Sequence, residues 1–187
     1  MRPIVLLDVD GVVNAIDECP EDPHPPPYGE PEEWLTDLVL IAGVEYPVRV
    51  HRSVCEWLGR LREVADVRWL TTWSHGDRCN SVIAPLVGLP ELPIECYERY
   101  RHRSKYVDPA SLCWWKLSAA QEAAEREPWL PIVWVDDDIS LSPWAVQWVQ
   151  HASRGRPAPV HAVVPRSQLG LTMQDMDRID RLVRTAE

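Results

Sequence analysis

The chain has 187 residues, enough for one domain with a substantial core, and its 45% hydrophobic and 26% charged content marks a globular class. A net charge of −10 disfavours broad nonspecific binding to nucleic acid, and no apolar run is long enough to span a bilayer. Five scattered cysteines without a C-x-x-C pair imply free thiols rather than a zinc site. The chain lacks a secretory apolar region at its start, so a cytoplasmic location is expected.

The apolar run at residues 4–7 predicts a buried parallel strand that ends at Asp8. Residues 19–33 are rich in proline and acid and are incompatible with helix or central strand. Residues 38–41 and 44–50, around Ala42-Gly43, predict a β-hairpin inside an insertion spanning residues 15–52. Ser53 is positioned to cap a helix to Ala65 that buries Val54, Trp57, Leu58 and Leu61. Residues 67–71 predict a second buried strand. A short helix at 80–87, interrupted at Pro85, and a short strand at 92–96 follow.

Residues 116–126 predict a helix that Lys116 begins, and 132–135 another buried strand. Helix at 143–152, strand at 160–164, and a helix capped by Thr172 and running to Arg184 complete the chain. Strands alternating with helices predict a single doubly wound α/β domain, a three-layer sandwich around a mainly parallel sheet. Ligands in such sheets bind beyond the carboxyl ends of the strands. Asp8, Thr71 and Asp136 all fall at predicted strand ends, so they are expected to meet at one edge.

Asp8-Val9-Asp10-Gly11 places two carboxylates just past a buried strand, a costly arrangement unless a cation or proton compensates. Gly11 permits the exit turn. Acidic residues also occur in ordinary strand-to-loop turns. Asp136-Asp137-Asp138 crowds three carboxylates, which suits a magnesium ion, although helix capping explains such a run as well. Thr71 and Thr72 offer hydroxyl donors to an anion, and threonine is also common in strands. Lys116 is one of only two lysines, the other being Lys105. Taken singly it reads equally as a solvated surface residue. The basic run from Arg99 to Lys105, with Arg101 and Arg103, is either a solvated loop or a phosphate-binding patch at the rim.

Together these parts are those that phosphoryl transfer needs: a nucleophile, a second acid, a hydroxyl donor, a fixed cation and a metal-binding acid pair. Their order is similar to the four motifs of the haloacid dehalogenase-like superfamily: DxDG after strand one, threonine after strand two, lysine on a later helix, and an acid pair after the next strand. The similarity runs from Ile4 to about Val164. The stretches Trp69-Leu70-Thr71-Thr72-Trp73, Trp114-Trp115-Lys116 and Trp134-Val135-Asp136-Asp137-Asp138 resemble bacterial members associated with RNA repair.

The resemblance implies a Mg²⁺-dependent phosphatase working through an aspartyl-phosphate. In it Asp8 is the nucleophile, Asp10 the acid and base, either Thr71 or Thr72 the phosphate-binding hydroxyl, with Thr71 favoured because it comes first at the strand end, and Lys116 the charge stabiliser. The metal would be held by Asp8, Asp10, Asp136 and Asp137. Gly11, Thr72, Arg101 and Arg103 are expected near the substrate, and Asp138 is expected to cap the following helix. Val12 stands where many members carry threonine.

The insertion is too small for a full lid domain, so the substrate is expected to be a phosphorylated small molecule or a nucleic-acid end. Oligomeric state is left open. A receiver-type signalling domain uses the same residue types, but it carries its acid pair after the first strand. A non-catalytic binding protein of this fold is disfavoured by the intact residue set, and a dehalogenase by Asp10. A phosphomutase stays open.

Overall fold

In the computed structural model, residues 2–16, 28–100 and 113–185 are described. Arg101 and Arg103 therefore lie outside the described residues. Four parallel strands form one sheet: β1 (Ile4–Leu7), β4 (Asp66–Trp69), β5 (Ile132–Val135) and β6 (Val160–Val163), in the order β4-β1-β5-β6. Strands β2 (Trp34–Ile41) and β3 (Val44–His51) pair antiparallel as a separate hairpin. The helices are α1 (Arg52–Val64), α2 (Ala84–Leu86), α3 (Tyr97–Tyr100), α4 (Cys113–Arg126), α5 (Pro143–Ala152) and α6 (Met173–Arg184). Among the described residues no helix is long and apolar enough to cross a membrane.

Side-chain alternation along the strands builds the layers. Val5, Leu7, Val133 and Val135 pack into one core with Val54, Trp57, Leu58 and Leu61 of α1 and Met176, Ile179 and Val183 of α6. Ile4, Leu6, Ile132 and Trp134 face the opposite way, toward Leu117, Ala120 and Ala123 of α4 and Ala145 of α5. Every β1 residue is fully buried, as an all-apolar central parallel strand requires. Burying one such side chain contributes about 1.5–3 kcal/mol.

Several elements depart from their sequence-based limits. Helix α1 begins at Arg52, with His51 rather than Ser53 as its cap: the imidazole accepts from the Ser53 backbone N–H. Helix α4 begins at Cys113, so Lys116 sits one turn inside it. Pro85 does not interrupt its segment. It occupies the first turn of α2, where its missing N–H costs nothing, after a wide turn at Cys79–Ile83. The strand expected at 92–96 shrinks to one bridge, Ile94 beside Trp69. Residues 70 and 71 leave β4 early, because Thr71 caps a short 3-10 turn at Thr72–Asp77. The last helix follows expectation, with Thr172 and Asp175 forming a reciprocal capping box.

The hairpin stays out of the main sheet. Its turn puts Ala42 and Gly43 at φ values of 52° and 84°, the two left-handed residues that match the twist of a tight hairpin. Val39, Val48 and Val50 on one face are buried in the core with Val12 and Val13. The opposite face leaves Leu38 and Leu40 exposed. Hydrogen bonds join its base to the loop after β1: the Ala15 N–H donates to the Arg49 carbonyl at 2.9 Å, and the Arg49 N–H to Asn14 Oδ1 at 2.7 Å. Thus the hairpin stands at the carboxyl ends of the strands.

A candidate phosphoryl-transfer site at the sheet edge

The strands end in one row, with Leu7 beside both Trp69 and Val135, and Val135 beside Val163. The ladder continues past that row: the Asp8 N–H donates to the Val135 carbonyl and the Leu70 N–H to the Leu7 carbonyl. Asp8 and Asp136 are thereby brought side by side. Both continue the even-numbered parity of Ile4, Leu6, Ile132 and Trp134, whose side chains face α4.

Helix α4 meets them with a cation. Lys116, Ala120 and Ala123 recur at helical spacing on its buried face, and the small alanines let the helix lie close to the sheet. The Lys116 ammonium lies 2.5 Å from Asp8 Oδ2 and 3.0 Å from Asp136 Oδ2. Lysine and acids are all almost fully buried. Among the described residues two of the three ammonium protons are so engaged, and the third can serve a ligand.

Asp8, Asp136 and Asp137 each offer a carboxylate oxygen, and these oxygens lie within 4.8 Å of one another. Burial pushes the Asp136 carboxyl up to about 7, with Lys116 opposing the rise and Asp8 adding to it. Burial also pushes Asp137 up to about 6, a Ser167 hydrogen bond opposing and Asp8 adding. For Lys116, burial works against the charge, but Asp136 and Asp8 outweigh it and hold the ammonium well above its ordinary value. One lysine thus leaves the cluster under-compensated. Oxygen-only, carboxylate donors at this spacing fit a hard divalent cation such as Mg²⁺.

Asp10 is not part of that trio. Asn14 Nδ2 donates to its Oδ1 at 2.9 Å and Trp73 Nε1 to its Oδ2 at 2.8 Å. Burial raises the Asp10 carboxyl above its ordinary value, while these two hydrogen bonds oppose the rise. Neither Asn14 nor Trp73 was expected from sequence as a partner of Asp10. The only local signals are an amide four residues after Asp10 and an indole next to Thr72. Gly11 has φ 72°, and an added Cβ would fall 2.2 Å from Asp137 Oδ2. Its N–H is spent on the Asn14 carbonyl, so the glycine makes room for Asp137 rather than offering a donor to substrate.

Thr71 is fully buried at the strand end and its Oγ1 accepts from the Trp73 N–H, which leaves the hydroxyl proton to donate elsewhere. Thr72, one residue on, is exposed. Asp138 does not cap. Asp136 caps instead, its Oδ1 accepting from the Asp138 N–H at 3.0 Å, and Ser142 caps α5. The strand end puts Asp136 at the β/extended position a cap needs, and Asp138 follows inside the turn. Of the basic run, Arg99 lies in α3 and pairs with Glu122 of α4. A cavity of about 720 Å³ between α4 and α5, lined by Gln121, Trp148 and Arg156 among others, contains none of these site residues. Cys79, a free thiol, is pushed up to about 12 by burial and is chemically quiet.

The cluster has a consequence for stability. Asp136 and Asp137 hold protons in the folded protein at pH values where unfolded aspartates, near 3.8, have lost theirs. The folded state then binds more protons than the unfolded, so stability falls as pH rises. In chelator, the wild-type melting temperature is expected to carry a component that declines from about pH 4 to about pH 7. Asp136→Asn should flatten it, and saturating Mg²⁺ should offset it. Identical pH profiles for wild type and Asp136→Asn in chelator would refute the assignment.

Comparison with family models, with curated proteins and with solved structures returns no match. The chemistry therefore has to be argued from the arrangement of these side chains.

Proposed function

We propose that the chain is a Mg²⁺-dependent phosphomonoesterase of the haloacid dehalogenase-like superfamily, working in the cytoplasm. The observation that carries this reading is the gathering of Asp8, Asp136 and Asp137 at the carboxyl edge of a parallel sheet, the first two paired to the Lys116 ammonium. Structural ion pairs seldom set two buried carboxylates and a third, half-buried one beside a single cation, because their desolvation is not repaid. A site that binds a metal and then a phosphate dianion needs that excess of ligands.

Asp8 is the nucleophile. One of its oxygens bonds to phosphorus as the bond to the leaving oxygen breaks, which splits one hard displacement into two easier ones. Asp10 gives its proton to the leaving oxygen and then takes one from the water that releases phosphate. Lys116 and the Thr71 hydroxyl hold phosphoryl oxygens, adding stabilisation as charge develops. Mg²⁺ would be held by Asp8, Asp136, Asp137 and the Asp10 backbone carbonyl, and when bound it neutralises negative charge and polarises the phosphoryl group.

The hairpin is small, and no large lid domain is part of this reading. A site open in that way admits nucleotide or nucleic-acid-end phosphates as well as small esters. Inorganic phosphate release should be screened over nucleotides, sugar phosphates and 3′- or 5′-phosphorylated oligonucleotides, with Mg²⁺ and with chelator. Release that requires Mg²⁺ is expected on at least one class. Full activity in excess chelator would refute the metal's role. A stable phosphoprotein without turnover would favour a phosphoryl-accepting signalling role instead.

A further inference from the structure

We propose that the hairpin is a working part of this site, and that Asn14 and Trp73 are positioning residues that fix the Asp10 carboxyl on the leaving-group side. The inference rests on the phosphatase reading above. Asn14 is buried and each of its side-chain polar atoms is committed. Its Oδ1 accepts from the Arg49 N–H of β3, and its Nδ2 donates to Asp10 Oδ1 and, at 3.4 Å, to the Pro47 carbonyl of β3. The amide can therefore take one orientation, and the hairpin sets it.

Trp73 holds the other oxygen. Its ring meets Tyr46 of β3 edge to face, with centroids 6.2 Å apart, and its backbone N–H is anchored on Thr71. With one donor on each oxygen, the plane of the carboxyl is determined, and both donors lean on β3. No direct hydrogen bond runs from Asn14 or Trp73 to Asp8, Asp136, Asp137 or Lys116 among the described residues.

This separation limits what the pair can influence. In the first displacement an Asp8 oxygen bonds to phosphorus, the bond to the leaving oxygen breaks, and the Asp10 proton passes to that oxygen. Misplacing Asp10 impairs both of its proton transfers, to the leaving oxygen here and from water in the second step. The second step is common to all substrates and does not enter kcat/KM, which reports the first displacement. In that displacement an alkyl leaving group needs the Asp10 proton, whereas p-nitrophenolate departs readily without it.

Trp73→Phe keeps the ring and removes the N–H, and Asn14→Ser removes the amide and carries the same test if the first variant does not fold. Each would be assayed, after a thermal melt establishes folding, on glycerol phosphate and on p-nitrophenyl phosphate with Mg²⁺. The ratio of kcat/KM on glycerol phosphate to kcat/KM on p-nitrophenyl phosphate is expected to fall by about tenfold, part of the roughly 10²–10⁴ that a placed general acid contributes. An equal fall in kcat/KM on both substrates, or no fall, would overturn the positioning role. A folded wild type that hydrolyses neither these esters nor any substrate of the screen above overturns the phosphatase reading, and the inference with it.

Discussion

Asp8→Asn is expected to abolish turnover and leave the fold in place. An amide is a very poor nucleophile toward phosphorus, so no covalent intermediate forms and the two-step route is closed. The fold survives because Asp8 lies beyond the last residue of β1, whose own side chains are buried on both faces. Its local contacts are also adaptable. Oδ1 accepts from the Val9 N–H and Oδ2 from Lys116, and an asparagine keeps one acceptor of the two. The decisive measurement pairs circular dichroism with a phosphate-release assay. Wild-type rates from a folded Asp8→Asn protein would end the nucleophile assignment. A folded, inactive variant whose Mg²⁺ affinity also falls is the expected outcome.

Lys116→Ala should cost catalysis on the order of 10²-fold or more, as loss of a transition-state charge stabiliser does. Unlike Asp8→Asn, it should also cost stability. Removing one partner of a buried ion pair typically costs about 3–5 kcal/mol, because the other charges stay buried without compensation. Here two carboxylates lose the same partner. Mg²⁺ should restore part of the lost stability and little of kcat. Lys116→Arg should not rescue activity, since a planar fork does not fit where a compact ammonium sits 2.5 Å and 3.0 Å from two acids. A near-normal kcat in Lys116→Ala would refute the role.

Strand ends and parity were legible because β1 and β5 are apolar without interruption and stop at an aspartate. Those two facts place Asp8 and Asp136 at one edge. That Lys116 belongs there was suggested by its scarcity and by motif order, and the geometry brings the three together. Local capping was harder to read. His51, Asp136 and Ser142 each cap where another residue was equally eligible by type, and backbone angles decided among them. The other long-range polar contacts at the site were not legible. Trp73 reaches Asp10 because the turn after β4 lies beside the end of β1, and Asn14 reaches Arg49 because the hairpin folds back over the loop after β1. Periodicity and spacing carry no trace of such a contact.

The strand order has a consequence for how the molecule comes to exist. Ile4 pairs with both Asp66 and Ile132, so the strand that is synthesised first sits between two that follow much later. Closing loops of such length costs entropy before any contact repays it, which makes folding slow. Asp8 and Asp10 must wait, exposed and hydrated, until β5 docks and carries Asp136 into place. A nascent or partly folded chain thus carries Asp8 and Asp10 without the Asp136 that completes the proposed site. Completing the sheet and acquiring the chemistry are one event, and backbone amides of Ile4–Leu7 should be among the slowest to exchange with solvent once it has occurred.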